Sequence, residues 1–390
     1  MVPMNTKLAA ALTTLCLLLN FTLTTAQINT KKSGSSFAEN SSLNGQNKEG
    51  SYSGDPCKSG SKNLMIPRVT KPWSEALLWI GDGKTLYSDF TVIKDKKGQW
   101  HAMGCFGIEP DGVGNGWAVS DGYSMFHAVG TSFEEPLKLQ PKIYPQIKTP
   151  KQAIMWAPGA IWNKDSTTAY MYYFHHYGWE WEGEVAKAQI LPKEGCARLL
   201  ISDAPDLSSW KPYDGGELPE QNMIFREIDD RDFCVFWDNR IGKYLLYYCS
   251  SVSSGSKVRT SDDLIHWSEP RTIMTEPAGD PHGYSESPFV LYRDGYYYLW
   301  VSGIDYSHTS LYISEDPFNF GDAIANRIED TPGHAPEIIT SSGIDYMACS
   351  MVSTYPSKFP SDHDLEGIFI QQLRWEKAEK GMESRITRKP

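Results

Sequence analysis

Glu286-Ser-Pro-Phe-Val-Leu, followed through a turn by Tyr296-Tyr-Tyr-Leu-Trp300, is the stretch of this sequence that decides the fold. A polar pair precedes an apolar run, and the run after the turn is mostly aromatic. Valine and aromatic residues favour extended backbone, and short runs of them bounded by turn residues are typical of strands. The stretch therefore predicts two consecutive β-strands that begin at a polar pair.

The same pattern begins at four other places along the chain. These starts are Ser88-Asp89-Phe-Thr-Val-Ile, Trp156-Ala-Pro-Gly-Ala-Ile, Arg231-Asp232-Phe-Cys-Val-Phe and His334-Ala-Pro-Glu-Ile-Ile. With the start at 286, the five starts are 68, 75, 55 and 48 residues apart. Each interval has room for a four-stranded sheet with its loops, and repeats of this kind are typical of propellers. The sequence therefore predicts an all-β, five-bladed β-propeller whose polar pairs converge at one end of the central channel.

The composition excludes some classes of protein and leaves one question open. The 390 residues carry a formal charge of −11, and 40% are hydrophobic. This balance argues against a disordered chain and against a nucleic-acid partner, which would need a basic face. Aromatic residues make up 13%, with 13 Trp and 21 Tyr. Because these rings both favour strands and stack on sugars, composition alone does not decide which explanation holds.

The two ends of the chain are expected to lie outside the propeller. Residues 1–26 resemble a secretory signal peptide, with Lys7 before an apolar run and small residues before Gln27. Residues 27–62 are rich in Ser, Gly and Asn and are expected to form a flexible linker. The catalytic propeller is expected over 63–375, and 376–390 as a charged, frayed tail. This organisation predicts a secreted or periplasmic protein with no membrane span.

Six cysteines follow the predicted signal peptide, and their environment distinguishes two uses. An even number in an oxidising compartment permits disulfides. However, Cys234, Cys249 and Cys349 lie in apolar, strand-like runs, and no pair has a spacing typical of zinc ligands. We therefore expect most of the six to be buried free thiols.

Three motifs in the repeats resemble those of the five-bladed propeller glycosidases, above all glycoside hydrolase family 43 and its relatives. Arg231-Asp-Phe-Cys-Val-Phe is similar to the family's Arg-Asp-Pro-Phe-Val-Phe segment, Glu286-Ser-Pro to its Glu-Gly/Ser-Pro motif, and Trp156-Ala-Pro to its Trp-Ala-Pro. The resemblance extends from about residue 73 to 375. Two departures indicate a divergent branch: Asp89 is not followed by proline, and Phe233 stands where the family has proline.

The resemblance implies three acidic catalytic residues. Glu286 would be the general acid and Asp89 the general base, and Asp232 would favour protonated Glu286 by like-charge repulsion and hold sugar hydroxyls. The family inverts configuration, which implies carboxyl groups roughly 6.5–9.5 Å apart. No cofactor is implied as a requirement. His334, at the position in blade five that Glu286 holds in blade four, is a candidate to hold a single cation such as calcium, or a water, near the axis.

Several other residues are candidates for binding the sugar. The set is Trp156, His175, His176, Arg231, Tyr284 and His334. The aromatic rings would stack on sugar faces, although rings in these places also pack between blades. The two adjacent histidines follow the aromatic strand of blade two and are expected at the pocket mouth. Arg231 and Arg240 are candidate clamps for a substrate carboxylate.

Three functional hypotheses follow. The favoured one is an exo-acting, inverting glycoside hydrolase that removes a pentose such as xylose or arabinose from plant or algal polysaccharide fragments. The second is a lyase or dehydratase that acts by β-elimination on uronic-acid-containing oligosaccharides such as ulvan fragments, with a His or Tyr base. The third is a propeller that binds carbohydrate without catalysis. In all three the partner is an oligosaccharide or polysaccharide.

Overall fold

The computed structural model describes residues 64–83, 85–107, 125–143, 153–177, 179–182, 185–188, 196–213, 223–225, 230–250, 255–276, 285–303, 308–351 and 366–389. Strands account for most of them, and two short 3₁₀ helices occur at Trp73–Glu75 and Met382–Arg385. Within these ranges no helix has the length and apolar character that crossing a bilayer requires. The predicted signal peptide and linker lie outside the described residues.

The strands group into successive sheets, preceded by two N-terminal strands. The N-terminal strands are β1 (Met65–Val69) and β2 (Leu77–Gly83). Blade one contains β3 (Leu86–Lys94), β4 (Trp100–Gly107), β5 (Met125–Gly130) and β6 (Lys138–Ile143). Blade two contains β7 (Ala153–Trp162), β8 (Ala169–Tyr177), β11 (Cys196–Ser202), β12 (Lys211–Pro212) and β13 (Met223–Phe225). Between β8 and β11 the chain forms a separate hairpin of β9 (Trp179–Glu182) and β10 (Val185–Ala188).

The remaining three blades follow the same order from the channel outwards. Blade three contains β14 (Asp230–Asp238), β15 (Lys243–Ser250), β16 (Ser256–Ser261) and β17 (Arg271–Thr272). Blade four contains β18 (Glu286–Arg293), β19 (Tyr296–Ser302), β20 (His308–Ser314) and β21 (Glu329–Pro332). Blade five contains β22 (His334–Ser341), β23 (Ile344–Met351) and β24 (Glu366–Lys377). The innermost strands β3, β7, β14, β18 and β22 contact one another in a closed ring, which confirms the predicted five-bladed β-propeller.

Blade five is completed by the N-terminal strands. β24 pairs antiparallel with β1, from Met65 opposite Lys377 to Val69 opposite Leu373, and also with β2. The ring is therefore closed by backbone hydrogen bonds between the beginning and the end of the folded chain. This pairing also covers the strand edge that β24 would otherwise expose.

Five clusters of buried hydrophobic side chains hold the blades together, and each cluster lies between two neighbouring blades. Successive side chains of a strand point to opposite faces of its sheet. A pair of adjacent tyrosines in a second strand therefore places one ring in each of the two flanking interfaces. The pairs are Tyr172-Tyr173, Tyr247-Tyr248 and Tyr297-Tyr298, all fully buried. The aromatic excess is thus chiefly packing between blades.

Every innermost strand is interrupted by a β-bulge at the polar pair that the sequence repeat identified. The second residue of each pair has left-handed backbone, with φ of 39° at Asp89, 48° at Ala157, 63° at Asp232, 47° at Ser287 and 49° at Ala335. Non-glycine residues in this region are strained, and such strain is concentrated at functional sites. The bulge is therefore the structural basis of the sequence repeat.

The C-terminal segment is ordered where the sequence predicted a frayed tail. Ile386 is 5% exposed and belongs to the cluster between blades four and five. The backbone N–H of Thr387 donates to the carbonyl of Ile313, and the N–H of Glu315 donates to the carbonyl of Thr387. Ala378 and Met382 pack against the same cluster. These three apolar side chains are separated by charged residues, so they form no apolar run in the sequence.

The described thiols agree with the expectation of free cysteines. Cys105, Cys234, Cys249 and Cys349 are buried and unbridged. Burial raises the pKa of Cys234 to about 12, so this thiol is protonated and unreactive at neutral pH. Cys57 and the side chain of Cys196 lie outside the described residues.

The closure of the ring by β1 can be tested with a matched pair of isoleucines. Ile66 in β1 is 1% exposed, whereas Ile344 in the same blade is 37% exposed. We expect Ile66→Ala to lower the free energy of unfolding by about 2–4 kcal/mol, because it leaves a cavity where the N-terminal strand meets blade four. Ile344→Ala is expected to cost less than about 1 kcal/mol. Equal, small losses in chemical denaturation of both variants would contradict a closing function for β1.

Candidate active site

A pocket lies at the point where the five bulges meet on the propeller axis. The five left-handed residues all line it, together with Phe90, Pro158, Phe233, Pro288, Pro336 and Glu337. Its volume of about 20 Å³ is enough for a water molecule or a small ion. The polar pairs thus converge at one end of the channel, as the sequence repeat predicted.

Asp89 forms a closed group with residues of blades four and five. Ser287 Oγ donates a hydrogen bond of 2.7 Å to Asp89 Oδ1, and His334 Nε2 lies 3.2 Å from the same oxygen and 3.3 Å from Ser287 Oγ. Burial alone raises the pKa of Asp89, but the charge of His334 and the hydrogen bonds from His334 and Ser287 outweigh burial and lower the pKa. Asp89 is therefore held as a carboxylate.

His334 is the cationic partner in this group. The residue is 1% exposed. Burial alone lowers its pKa, but the charge of Asp89, the hydrogen bond to Asp89 and the nearby charges of Glu286 and Asp232 outweigh burial and raise the pKa of His334. The sequence placed His334 near the axis, and the structure shows that its partners there are Asp89 and Ser287.

Asp232 lies beside this group, and its pKa is shifted in the direction opposite to that of Asp89. The residue is 8% exposed, and its Oδ2 accepts a 3.0 Å hydrogen bond from the backbone N–H of Ser287. Burial and the charges of Asp89 and Glu286 raise the pKa of Asp232 to about 7, against the lowering effects of Arg231 and of the Ser287 N–H. Near neutral pH, Asp232 therefore exchanges a proton while Asp89 stays ionised.

Glu286 is paired with Arg231 across the boundary between blades three and four. Arg231 Nη2 lies 2.7 Å from Glu286 Oε1, and the two side chains are 12% and 8% exposed. The Nε of Arg231 also lies 3.8 Å from Asp232 Oδ2. The contact with Glu286 has the length of a charge-assisted hydrogen bond. The sequence predicted that Arg231 clamps a substrate carboxylate, but it did not reveal this ion pair. The pair forms because Arg231 and Glu286 lie at the start of the innermost strands of neighbouring blades, which pack against each other.

Trp156 occupies the first position of the pair in blade two, next to the pocket-lining Ala157. Its ring stacks on Phe174 with 5.9 Å between centroids and packs against the cluster between blades two and three. The ring is only partly buried. The ring of Trp156 therefore packs between blades, and its stacking on a sugar stays a prediction.

Other sequence candidates are separated from the pocket or lie outside the described residues. Arg240 follows β14 at the end opposite Arg231, where its guanidinium stacks on Tyr292 and Tyr297 at 4.7 and 5.5 Å. The prediction that Arg240 clamps a substrate carboxylate is therefore wrong. Tyr284 lies outside the described residues. The backbones of His175 and His176 form the end of β8, but their side chains lie outside the described part, so their assignment stays a prediction.

Two further residues line the pocket: Ser287, to which the sequence assigned no function, and Glu337, which it offered as a partner of His334 or as a strand-start carboxylate. Ser287 contacts both Asp89 and Asp232, and its position inside the Glu-Ser-Pro motif is the signal that marks it. Glu337 lines the channel behind the acids, and burial raises its pKa well above the usual value. Its position, three residues after His334, is the strand start at which an axial side chain is expected.

The described residues do not fit a calcium ion held directly by the protein. Calcium takes six to eight oxygen ligands. In the described part of the chain, no group of three or more His, Cys, Asp or Glu side chains is arranged to hold a metal ion. His334 and Asp89, the axial candidates, are engaged with each other. A cation near the axis therefore stays a prediction from the resemblance.

The carboxyl of Glu337, which lies half-buried in the channel, makes the stability of the propeller depend on pH. Because the pKa of Glu337 is raised above its unfolded value, its favourable contribution is complete at low pH and is lost as pH rises. We expect Glu337→Gln to be more stable than the native chain by at least about 1 kcal/mol at pH 9, with the difference disappearing below about pH 5. Urea unfolding at both pH values measures this, with the exposed Glu383→Gln as control. A difference that does not change with pH would contradict the assignment.

Comparisons with known proteins place the fold. No protein-family model and no curated protein matches the sequence. A family 43 β-xylosidase/α-arabinofuranosidase from a compost microbial metagenome, solved with xylotriose in a calcium-free form, is 16% identical with a TM-score of 0.53, over 79% of this chain and 96% of that one. The family 43 endo-arabinanase of Bacillus licheniformis is 16% identical (TM-score 0.50; 76% and 97% covered). A family 117 glycoside hydrolase of Zobellia galactanivorans is 13% identical (TM-score 0.50; 81% and 91% covered). The chain therefore has the five-bladed fold of these glycoside hydrolases.

Proposed function

We propose that this protein is a glycoside hydrolase with its active site at the bulges on the propeller axis. The observation that carries the proposal is the group of acidic side chains there: Asp89, held as a carboxylate by Ser287 and His334, lies beside Asp232, which is bound by the N–H of the same Ser287. An ionised carboxylate held in this way is suited to act as a general base. Glu286 adds a third carboxyl at the same bulges. Two carboxyl groups across a glycosidic bond are what its hydrolysis requires.

The three acids have separate functions in the proposed reaction. Asp89, ionised and fixed by His334 and Ser287, accepts a proton from the water that attacks the anomeric carbon. Glu286 donates a proton to the leaving oxygen. Asp232 binds sugar hydroxyls, and its negative charge, when ionised, stabilises the positive charge of an oxocarbenium-like transition state. The attack of water on the face opposite the leaving group inverts the anomeric carbon.

The ion pair of Arg231 and Glu286 imposes a condition on this reaction. Glu286 donates a proton only when its carboxyl faces the leaving oxygen, but Oε1 is held by the guanidinium at 2.7 Å. We infer that the bound sugar takes over the N–H groups of Arg231 and thereby releases the side chain of Glu286 towards the leaving oxygen. Arg231 then contributes both to substrate binding and to the position of Glu286.

The substrate and location complete the proposal. The structural neighbour solved with xylotriose supports a pentose oligosaccharide, and the resemblance to family 43 supports exo-acting, inverting removal of xylose or arabinose from plant or algal fragments. The proposed signal peptide over 1–26 supports action outside the cytoplasm.

The position of Arg231 also favours a second candidate function. A guanidinium beside the reacting carboxyls is suited to neutralising a uronate, which is the prerequisite for β-elimination from uronic-acid-containing oligosaccharides. Elimination produces a conjugated double bond with ultraviolet absorbance, whereas hydrolysis produces only a reducing end. Oligosaccharide screening with both readouts distinguishes the two reactions, and binding without either signal would indicate a non-catalytic propeller.

The assignment of the acid and the base can be tested with isosteric variants. We expect Asp89→Asn and Glu286→Gln each to lower kcat/KM by about 10²–10⁴-fold, because each removes one proton-transfer group. Reducing-end release measures the rate, and proton NMR of the first-formed anomer measures inversion. Asp165→Asn, in an exposed turn, is the matched control. Retention of full activity by Glu286→Gln would contradict its assignment as the acid.

The contribution of Arg231 to substrate binding can be tested by steady-state kinetics. Arg231→Met removes the charged N–H groups that would bind the sugar, so we expect kcat/KM to fall by about 10–100-fold, mainly through a higher KM. Arg240→Met, which removes a guanidinium that stacks on Tyr292 and Tyr297, is the control and is expected to keep the native KM. An unchanged KM in folded Arg231→Met would contradict a contact between Arg231 and the sugar.

A further inference from the structure

We propose that Ser287 is a positioning residue whose hydroxyl orients Asp89 for proton abstraction from water while its backbone N–H fixes Asp232. The inference rests on the proposed function of Asp89 as the base. It assigns a function to the middle residue of the Glu-Ser-Pro segment, which lies between Asp89 and Asp232.

The hydrogen bonds of Ser287 link the two carboxyls through one residue. Its hydroxyl donates to Asp89 Oδ1 at 2.7 Å, and its N–H donates to Asp232 Oδ2 at 3.0 Å. His334 Nε2 lies 3.2 Å from the same oxygen of Asp89. Two partners on Oδ1 restrict rotation of the carboxylate, so the direction of its other oxygen is determined.

The backbone of Ser287 would be better satisfied by glycine. Its φ of 47° lies in the left-handed region, which glycine adopts without steric cost. A serine side chain in this conformation is therefore unfavourable for the backbone alone. The hydroxyl offsets this cost with a charge-assisted hydrogen bond to a buried carboxylate, and such bonds are among the stronger ones in proteins.

The same bond contributes to the charge state of the base. Asp89 loses hydration on burial, and only donors and positive charge keep it ionised there. His334 is the largest source, and hydrogen bonds from Ser287 and Ser88 add to it, so loss of the Ser287 hydroxyl removes one of the three residues that keep Asp89 ionised. The hydrogen bond from the backbone N–H of residue 287 to Asp232 is available to every residue type except proline. Substitutions of Ser287 therefore remove the hydroxyl contact with Asp89 and keep the backbone contact with Asp232.

The experiment compares Ser287→Ala and Ser287→Gly with the native chain. Both lack the hydroxyl, and the glycine variant also relieves the backbone. We expect both to lower kcat by about 10-fold and to move the acidic limb of the kcat/KM profile up by about one pH unit, with little change in KM. Ser342→Gly is the control, because Ser342 has a φ of 52° at the turn between β22 and β23. Its profile is expected to match the native one.

A second measurement keeps the inference testable without turnover. Carbon-13 NMR of labelled aspartate, with Asp89→Asn used to assign the signal, reports the pKa of Asp89 directly. An increase of this pKa in both Ser287 variants supports the inference. An unchanged pKa and acidic limb in folded variants overturns it, even if Asp89→Asn is inactive. Full activity of Asp89→Asn instead overturns the proposed function of Asp89 itself.

Discussion

The left-handed residue that interrupts each innermost strand is the constraint on which the rest of this structure depends. Non-glycine side chains in this conformation cost energy, and here they occupy the equivalent position in all five blades. Packing from the next blade helps to hold the bulge in place: Gly159 lies so close to the carbonyl oxygen of Phe233 that an added Cβ would be 2.1 Å from it. The strain is therefore maintained by the closed ring, and the bulges direct their side chains to one pocket.

The site that results is a small network of charges rather than a simple pair of acids. Asp89 is ionised by its partners on blades four and five, whereas Asp232 binds a proton near neutrality because burial and neighbouring carboxylates dominate. Arg231 counters the charge of Glu286. The cationic side chains of His334 and Arg231 offset the carboxylates, which reduces the cost of burying them. In the proposed reaction, the sugar competes with Glu286 for the N–H groups of Arg231.

Several features of this protein were predictable because they depend on local periodicity. The repeated polar pair followed by an apolar run predicted the five blades, and adjacent tyrosines in the second strands are explained by burial on both faces. The three acids belonged to those pairs. The family resemblance added assignments to them, but the 13–17% identity of the structural neighbours supports the fold alone.

Other features required the fold to be known. Arg231 and Arg240 looked alike in the sequence, yet Arg231 lies at the start of β14 and Arg240 lies beyond its other end, so of the two only Arg231 reaches the acids. By itself, the sequence determined the number of blades and the identity of the axial residues, because strand periodicity and turn chemistry act over a few neighbouring positions. Only the tertiary structure decided the partners and charge states of those residues. Burial, the contact of Ser287 with Asp89 and the pairing of Arg231 with Glu286 arise between blades that are distant in sequence.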